Sequence, residues 1–506
     1  MSVSFQTMAA IRFGYGFRPG ESGPQDIQAL LGQLKTGAQN PPSFPAGGTD
    51  ACRQRLTSLQ DQLKTMRQDA KAGGDEGERR ERRDRRRELQ RQVQRGFQRD
   101  ANQRLMQSVL SANGFYERLA AFWTNHFSTS ANKSLPMRMI VPLYEAEAIR
   151  PNLGGSFRDL LRAATEHPAM LIYLDQAQSQ GPDSPGGIRQ RKGLNENLGR
   201  ELLELHTLGA GSGYTQADVR GAAMVLTGLT VDRDDVDTVF RPRLSEPGQH
   251  SVLGIGYGGE RRTRKDYLAM LDDLAAHPKT AEHICRKLCI HFISDQPPPE
   301  MISAMADVWK RADGDLTAVY GAMLDHPSAW RDEGSKARQP FDFVVAGLRA
   351  LNAGSFMEAN QDDDGDADTA MAAPPAEMAG GDAVKSVAPA DPAGKEAIKR
   401  RKASQTARAL GQGALRRMGQ PVWLPPSPAG FEETFGAWIT ASQLAERLAW
   451  ARRASAQFGK DEDPREFLRA TLGDAARDET IRVVSQAPSK ISGLTLVLAS
   501  PEFNRR

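Results

Sequence analysis

The stretch Asn195-Glu196-Asn197-Leu198-Gly199-Arg200-Glu201-Leu202-Leu203-Glu204-Leu205-His206-Thr207-Leu208-Gly209 decides the fold class. At about 100° per residue, Glu196, Asn197, Arg200, Glu201 and Glu204 fall on one arc, and Leu198, Leu202 and Leu205 centre an apolar arc beside it. The pattern predicts an amphipathic helix closed by Gly209. Helical patterns continue outward in both directions. Residues 114–127 predict a buried helix with the stripe Leu119, Phe122, Trp123 and Phe127. Residues 143–150 and 156–167 follow, closed by Pro151 and Pro168. Residues 215–229 open on a capping pattern from Thr215 to Asp218, and 280–292, 299–312, 316–325 and 341–350 extend the series. Strand character is confined to 230–259, where Val231, Val236, Val239, Phe240, Val252 and Ile255 stand among Gly and Pro, so a small hairpin is expected there.

The chain therefore reads as mainly α: a large irregular helical domain with a small β-hairpin region and a disordered insert. A turn-rich segment (1–50) packs on the core, and a basic, polar helical region follows (51–113). The helical core with the candidate site spans 114–355, and 396–506 completes the same domain. Between them, 356–395 is rich in Asp, Ala, Pro and Gly. Such a segment buries too little apolar surface to offset its ordering entropy.

With 506 residues, 39% hydrophobic and 25% charged, the chain is long enough to bury one large core. A net charge of +3 does not call for a nucleic-acid partner. Residues 78–99 nevertheless hold ten arginines against four acids. They read either as an electrostatic footprint for an anionic partner or as a solvated helix laced with ion pairs, since Glu78, Glu81, Asp84 and Glu88 interleave at helical spacing. Cys52, Cys285 and Cys289 make neither a disulfide framework nor a zinc quartet and read as buried thiols. The chain opens without a basic segment and apolar run, and no stretch approaches the roughly 20 apolar residues of a membrane span. A cytoplasmic protein is expected, or an exported one if the true start lies upstream. No zincin motif, nucleophile elbow, Walker A loop or zinc-finger spacing is present. Gly254-Ile255-Gly256-Tyr257-Gly258-Gly259 reads as a mobile loop.

Two clusters carry candidate chemistry. In Phe122-Trp123-Thr124-Asn125-His126-Phe127, His126 follows Phe122 and Trp123 by four and three residues, so its imidazole should lie on aromatic surface. Burial there disfavours the charged form and leaves a neutral base or ligand, or a core histidine bonded to a backbone carbonyl. In the central helix, Glu196–Arg200 and Arg200–Glu204 are i,i+4 pairs that suit an ion-pair lattice. Asn197, Glu201 and Glu204 would suit an oxygen-loving divalent cation such as Ca²⁺ or Mg²⁺. His206 lies roughly 140° or more from Glu201 around the helix and cannot share a ligand with it.

These clusters, in this order, resemble the bacterial family catalogued as domain of unknown function 1800. The matching landmarks include Arg12-Phe13-Gly14-Tyr15-Gly16 with Arg18-Pro19-Gly20, Phe122 through Phe127, Ile149-Arg150-Pro151, and Pro168-Ala169-Met170-Leu171 with Tyr173-Leu174-Asp175. They continue through Asn195-Glu196-Asn197, Arg200 through Leu205, Tyr214-Thr215, Leu226-Thr227-Gly228, His277-Pro278, Lys287-Leu288 and Ser500-Pro501-Glu502-Phe503. The resemblance implies an α-helical protein. Many relatives carry export signals, and many are encoded beside a sulfatase-like family, domain of unknown function 1501. Here the export signal is lacking, and Ser245 stands where the family usually shows His, with His250 five residues away.

Two functions of different class follow as expectations. One is a metal-assisted or acid/base hydrolase-like enzyme acting on a polar substrate, carbohydrate or sulfated. In it His126, Glu201, Glu204 and Asp175 are the catalytic candidates, and Trp123, Asn125, Arg150 and Asn197 the substrate-binding ones. The other is a non-catalytic binding or accessory protein for a sulfatase-like partner, its polar residues forming a buried lattice that joins Arg200 to Glu196 and Glu204, and Arg150 to Asp175. Substrate, cofactor and metal identity are not legible at this level.

Overall fold

The computed structural model describes residues 3–73, 75–190, 193–232, 234–331, 336–360 and 392–506. It is mainly α. In chain order, the elements used below are α1 (Ile27–Gln39), α2 (Gly48–Ala72), α3 (Glu76–Leu110), α4 (Gly114–His126), α5 (Met137–Tyr144), α6 (Phe157–Glu166), α7 (Asn197–Glu201) and α8 (Gln216–Leu226). After the strands come α9 (Arg264–Ala276), α10 (Pro278–Phe292), α11 (Pro299–Arg311), α12 (Leu316–Asp325), α13 (Pro340–Ala350), α14 (Ala441–Phe458) and α15 (Lys490–Ala499). The starts are set by local chemistry. Asp26 accepts from the Ala29 N–H at 2.7 Å ahead of α1, and Thr215 and Asp218 form a reciprocal capping box on α8.

Two short antiparallel sheets occupy the one region with strand character: β1 (Leu229–Val231) with β2 (Thr238–Phe240), and β3 (Gly248–Val252) with β4 (Ile255–Gly259). The glycine-rich run is thus β4 and the turn before it, not a mobile loop. Leu253 and Gly254 both take positive φ, 52° and 80°, the geometry that closes a two-residue hairpin. Residues 361–391 of the expected insert lie outside the described residues. Its flanks are helical, in Gly354–Ala359 and Pro392–Leu410.

The predicted central helix divides. After α7 the backbone passes into a π turn, Leu202–His206. A π turn adds a residue per turn, so every side chain beyond it is rotated from its α-helical place. Leu198, Leu202 and Leu203 are wholly buried, Leu205 is half-buried, and His206 turns into the core. The expected apolar arc through Leu205 therefore shifts to Leu203. Two other π turns fall at Ala9–Phe13 and Glu145–Ile149.

One contiguous cluster of buried apolar side chains runs from Ala9 to Phe503, with Phe13, Phe115, Trp123, Phe157, Phe292 and Tyr320 among its aromatic members. Cys52, Cys285 and Cys289 are buried free thiols. The arginine-rich helix α3 pairs with α2 as a hairpin over the small cluster Leu59, Leu89 and Val93. Its ion pairs are few. Asp84 reaches Arg87 at 3.7 Å, and Glu88 takes both Arg91 and Arg95 at 3.1 Å. Arg79, Arg80, Arg83, Arg85 and Arg86 have no ion-pair partner among the described residues, so the continuous lattice read from their spacing is only partial. Among the described residues, no helix is long and apolar enough to cross a membrane.

The central helix is held close to α8 because Gly199 has no side chain. A Cβ there would stand 2.8 Å from the Ala223 nitrogen and 3.0 Å from the Val219 carbonyl oxygen, both backbone atoms. Gly199→Ala should cost about 1–3 kcal/mol by forcing the helices apart. Chemical denaturation checks this, and an unchanged midpoint would refute the close approach.

Candidate functional site

Arg150 ends the π turn 145–149 and lies in a buried ionic lattice. Its Nη2 donates to Glu117 Oε2 at 2.7 Å and its Nε to Glu145 Oε1 at 3.2 Å. Glu145 also accepts from Arg104 Nε at 2.9 Å and from Trp423 Nε1 at 2.7 Å. Burial by itself would raise the Glu145 carboxyl, but Arg104 and Arg150 hold it below the usual carboxylate range. The pairing expected between Arg150 and Asp175 is not made. Asp175 receives Lys133 at 2.7 Å, since its αL backbone (φ 60°) sits on a half-exposed turn. Arg200 approaches Glu196 at 3.5 Å and donates to Gln216 at 3.1 Å. Glu204 is taken instead by the Tyr214 hydroxyl at 3.1 Å, because the π turn carries it off the α-helical i,i+4 line.

Trp123 is a core residue whose indole N–H donates to Tyr320 at 2.7 Å. The Asn125 amide clamps the backbone of Phe431, donating to its carbonyl at 3.0 Å and accepting from its N–H at 2.7 Å. Asn197 is exposed at the start of α7, its N–H on the Asn195 side chain at 2.9 Å.

His126 is 2% exposed, stacks with Phe122 and lies edge-on to Trp123. Its Nε2 donates to the His206 carbonyl at 3.2 Å, and His283 Nε2 donates to the adjacent Leu205 carbonyl at 3.2 Å. Two imidazoles thus satisfy carbonyls left without helical partners at the end of the π turn. His126 Nδ1 and both ring nitrogens of His206 are buried without a hydrogen-bond partner. Burial, then Lys287, then its histidine neighbours press His126 well below the usual imidazole range. Burial and Lys287 also bring His206 to about 3 and His283 to about 4. Lys287, one turn after His283 on α10, has no ion-pair partner among the described residues, and burial holds it down to about 8.

His126 and Glu201 do not meet. His126 lies against the buried side of the π turn, and Glu201 stands at its half-exposed edge beside Tyr173, whose phenol is pushed up by burial and by the Glu201 charge. The Glu201 carboxyl is itself raised, first by burial and then by the Glu204 charge. The predicted site residues therefore divide into a half-exposed carboxylate pair and a buried imidazole group. Among the described residues, no three His, Cys, Asp or Glu side chains gather closely enough to hold a metal ion. His250 bonds the Glu246 carbonyl at 3.4 Å, and the Ser245 hydroxyl is buried without a partner.

A second polar assembly escaped the sequence reading. Asp342 on α13 takes Arg118 at 3.0 Å and also Arg506. His291 Nδ1 lies 3.0 Å from the Glu433 carboxylate, and its Nε2 accepts from Arg118 at 3.1 Å. An arginine can only donate, so the His291 proton resides on Nδ1. Burial and nearby guanidiniums lower that imidazole to about 4, and His291, Lys336 and Arg506 overcome burial to hold Glu433 at about 2. The available signal was His283, Lys287 and His291 at i, i+4 and i+8 on α10, a polar stripe in a buried helix.

The fold and these assemblies define a helical protein cross-braced by buried ionic lattices, with a carboxylate pair on a central π turn. The chain belongs to the family described as Protein of unknown function (DUF1800), whose model matches residues 8–505. No curated protein and no solved structure matches it.

The unfolded chain titrates its histidines near pH 6.5. From there down to the folded values it binds protons that the folded protein refuses, so stability falls as pH falls across that window. His206→Gln should remove about one proton from this dependence, ~1.4 kcal/mol per pH unit. Urea denaturation between about pH 7 and pH 5 reads the slope, and an unaltered slope would show that His206 titrates freely.

Proposed function

We propose that the protein is a hydrolase-like enzyme using acid/base chemistry on a polar substrate, carbohydrate or sulfated, with Glu201 as proton donor. The observation that carries this is the Glu201 carboxyl, raised by burial and by Glu204 three residues on, at a half-exposed edge a substrate can reach. A carboxyl that holds its proton more tightly than usual beside a second carboxylate is an arrangement suited to protonating a leaving group. Tyr214 fixes Glu204, and Tyr173 and Tyr214 supply phenols for substrate hydroxyls. Arg200 on α7 and Arg220 on α8 both approach Glu196, at 3.5 and 3.7 Å, and favour an anionic substituent such as sulfate. His126 acts here as a positioning residue, anchoring the far end of the π turn through the His206 carbonyl. A divalent cation would have Glu201 and Glu204 as its only two carboxylates in that pair, so the acid/base arm of the proposal is the stronger.

The accessory reading, a binding protein for a sulfatase-like partner, is favoured by one specific observation: Trp123, Asn125, Arg150 and Asp175 are all spent on internal bonds. Co-expression with such a partner followed by size-exclusion chromatography tests it, and separate elution removes it.

For the enzyme, turnover is measured on a panel of nitrophenyl glycosides, sulfate esters and acetate esters. Glu201→Gln should lower the rate by roughly 10²–10⁴-fold with thermal stability retained. The parent's rate should fall as pH rises through the raised Glu201 value. A panel without turnover, or a variant as fast as the parent, ends this reading.

A further inference from the structure

We propose that the exposed basic face of α3 docks on a DNA duplex through its phosphates. This surface is independent of the Glu201 centre. At about 100° per residue, Arg79, Arg80, Arg83, Arg86 and Arg87 fall within an arc of about 120°, and Gln90 and Gln94 continue the same strip. Glu78, Glu81, Asp84 and Glu88 fall on an opposed arc of about the same width. From Arg79 to Gln94 no acid stands on the basic strip, and Glu76 lies beyond its end. A net charge of +3 over the whole chain conceals this local separation of sign. All five arginines are exposed. Arg87 reaches Asp84 at 3.7 Å, and the other four have no ion-pair partner among the described residues. Arg95, which holds Glu88, stands on the acidic side. Arg82, between the two arcs, turns back on the hairpin and donates to the Gly73 carbonyl at 2.6 Å.

That separation works against the helix when it stands alone. Arg79–Arg83, Arg80–Arg83, Arg83–Arg86 and Arg83–Arg87 are like-charge neighbours at i,i+3 and i,i+4, and each such pair weakens a helix. A polyanion laid along the strip turns the same charges into attractions. No lysine stands between Lys71 and Lys133, so every cation here is an arginine. The planar guanidinium takes two phosphate oxygens at once. From Arg79 to Gln94 the strip is about 22 Å long at 1.5 Å per residue, and B-DNA offers one phosphate charge per roughly 1.7 Å of its axis. A helix with its side chains is about 10–12 Å across, which suits the major groove of B-DNA, about 12 Å wide. The major groove of an RNA duplex is too narrow. Other polyanions fit less well. Among the described residues, neither α2 nor α3 exposes a large apolar side chain to insert into a membrane. The one aromatic on the two helices, Phe97, is buried, so unpaired bases find no stacking platform.

The test follows the fluorescence anisotropy of a labelled DNA duplex of mixed sequence as full-length protein is added, between about 50 and 200 mM salt. Five phosphate contacts give a log–log slope of about −4.5, a loss of roughly 500-fold in affinity over that range. Arg83→Gln should weaken binding severalfold and make the slope shallower by about one. Its thermal midpoint should stay equal or rise, because like-charge contacts are removed. Adding Arg79→Gln, Arg80→Gln and Arg86→Gln should abolish binding. Arg95→Gln removes the same charge from the opposite face and should leave binding unchanged. The proposal is overturned if the duplex does not bind at the lowest salt, or if the fourfold variant still binds. It is also overturned if Arg95→Gln weakens binding as much as Arg83→Gln. Tighter binding to single-stranded DNA, an RNA duplex, poly-glutamate or phosphatidylserine vesicles overturns it as well.

Discussion

Glu145 is the knot on which the architecture depends. Its carboxylate is fully buried and takes hydrogen bonds from Arg104 on α3, from Arg150 at the end of its own π turn, and from Trp423 in the 420–433 loop. Taking a carboxylate and two guanidiniums out of water costs several kcal/mol per ion, and only a complete set of partners offsets it. Arg150 completes the set by turning two further donors onto Glu117 of α4. Every member fixes the direction of another, so α3, α4, the π turn and the loop have one mutual arrangement in which no buried charge is left alone.

The second lattice repeats the logic from the next residue of α4, Arg118. Asp342, Arg118, His291, Glu433 and Arg506 join α13, α4, α10 and the 420–433 loop. Arg118 bridges two of its members, reaching Asp342 with one terminal nitrogen and His291 with the other. A cleft at the end of α4 is lined by Arg104 of the first lattice and by Asp342, His291 and Glu433 of the second.

The central π turn exerts the other organising influence. It moves His206 into the core, where His126 and His283 satisfy the last carbonyls of the segment, and it leaves Glu201 and Glu204 at the solvent edge with Tyr173 and Tyr214. One helical irregularity thereby separates groups that regular periodicity places together. The imidazoles are pressed toward the neutral form by burial, while burial and the Glu204 charge raise the half-exposed Glu201 carboxyl.

Much of the helical order was legible in the residues themselves: the cap at Thr215, the proline after α6, the aromatic stripe of α4, and the strand character confined to 230–259. These are local effects, set by period, capping and backbone sterics within a few residues. Family membership was legible too, from the ordered landmarks. The partners of the ionisable groups were not. Arg150 pairs with Glu117 and Glu145 and not with Asp175, and Glu433 meets His291 across 142 positions. Nor could spacing show the π turn that parts His126 from Glu201. Helical periodicity is written into neighbouring side chains, whereas the choice of a buried ion's partner is made by desolvation, which acts only once distant segments have packed and water has left.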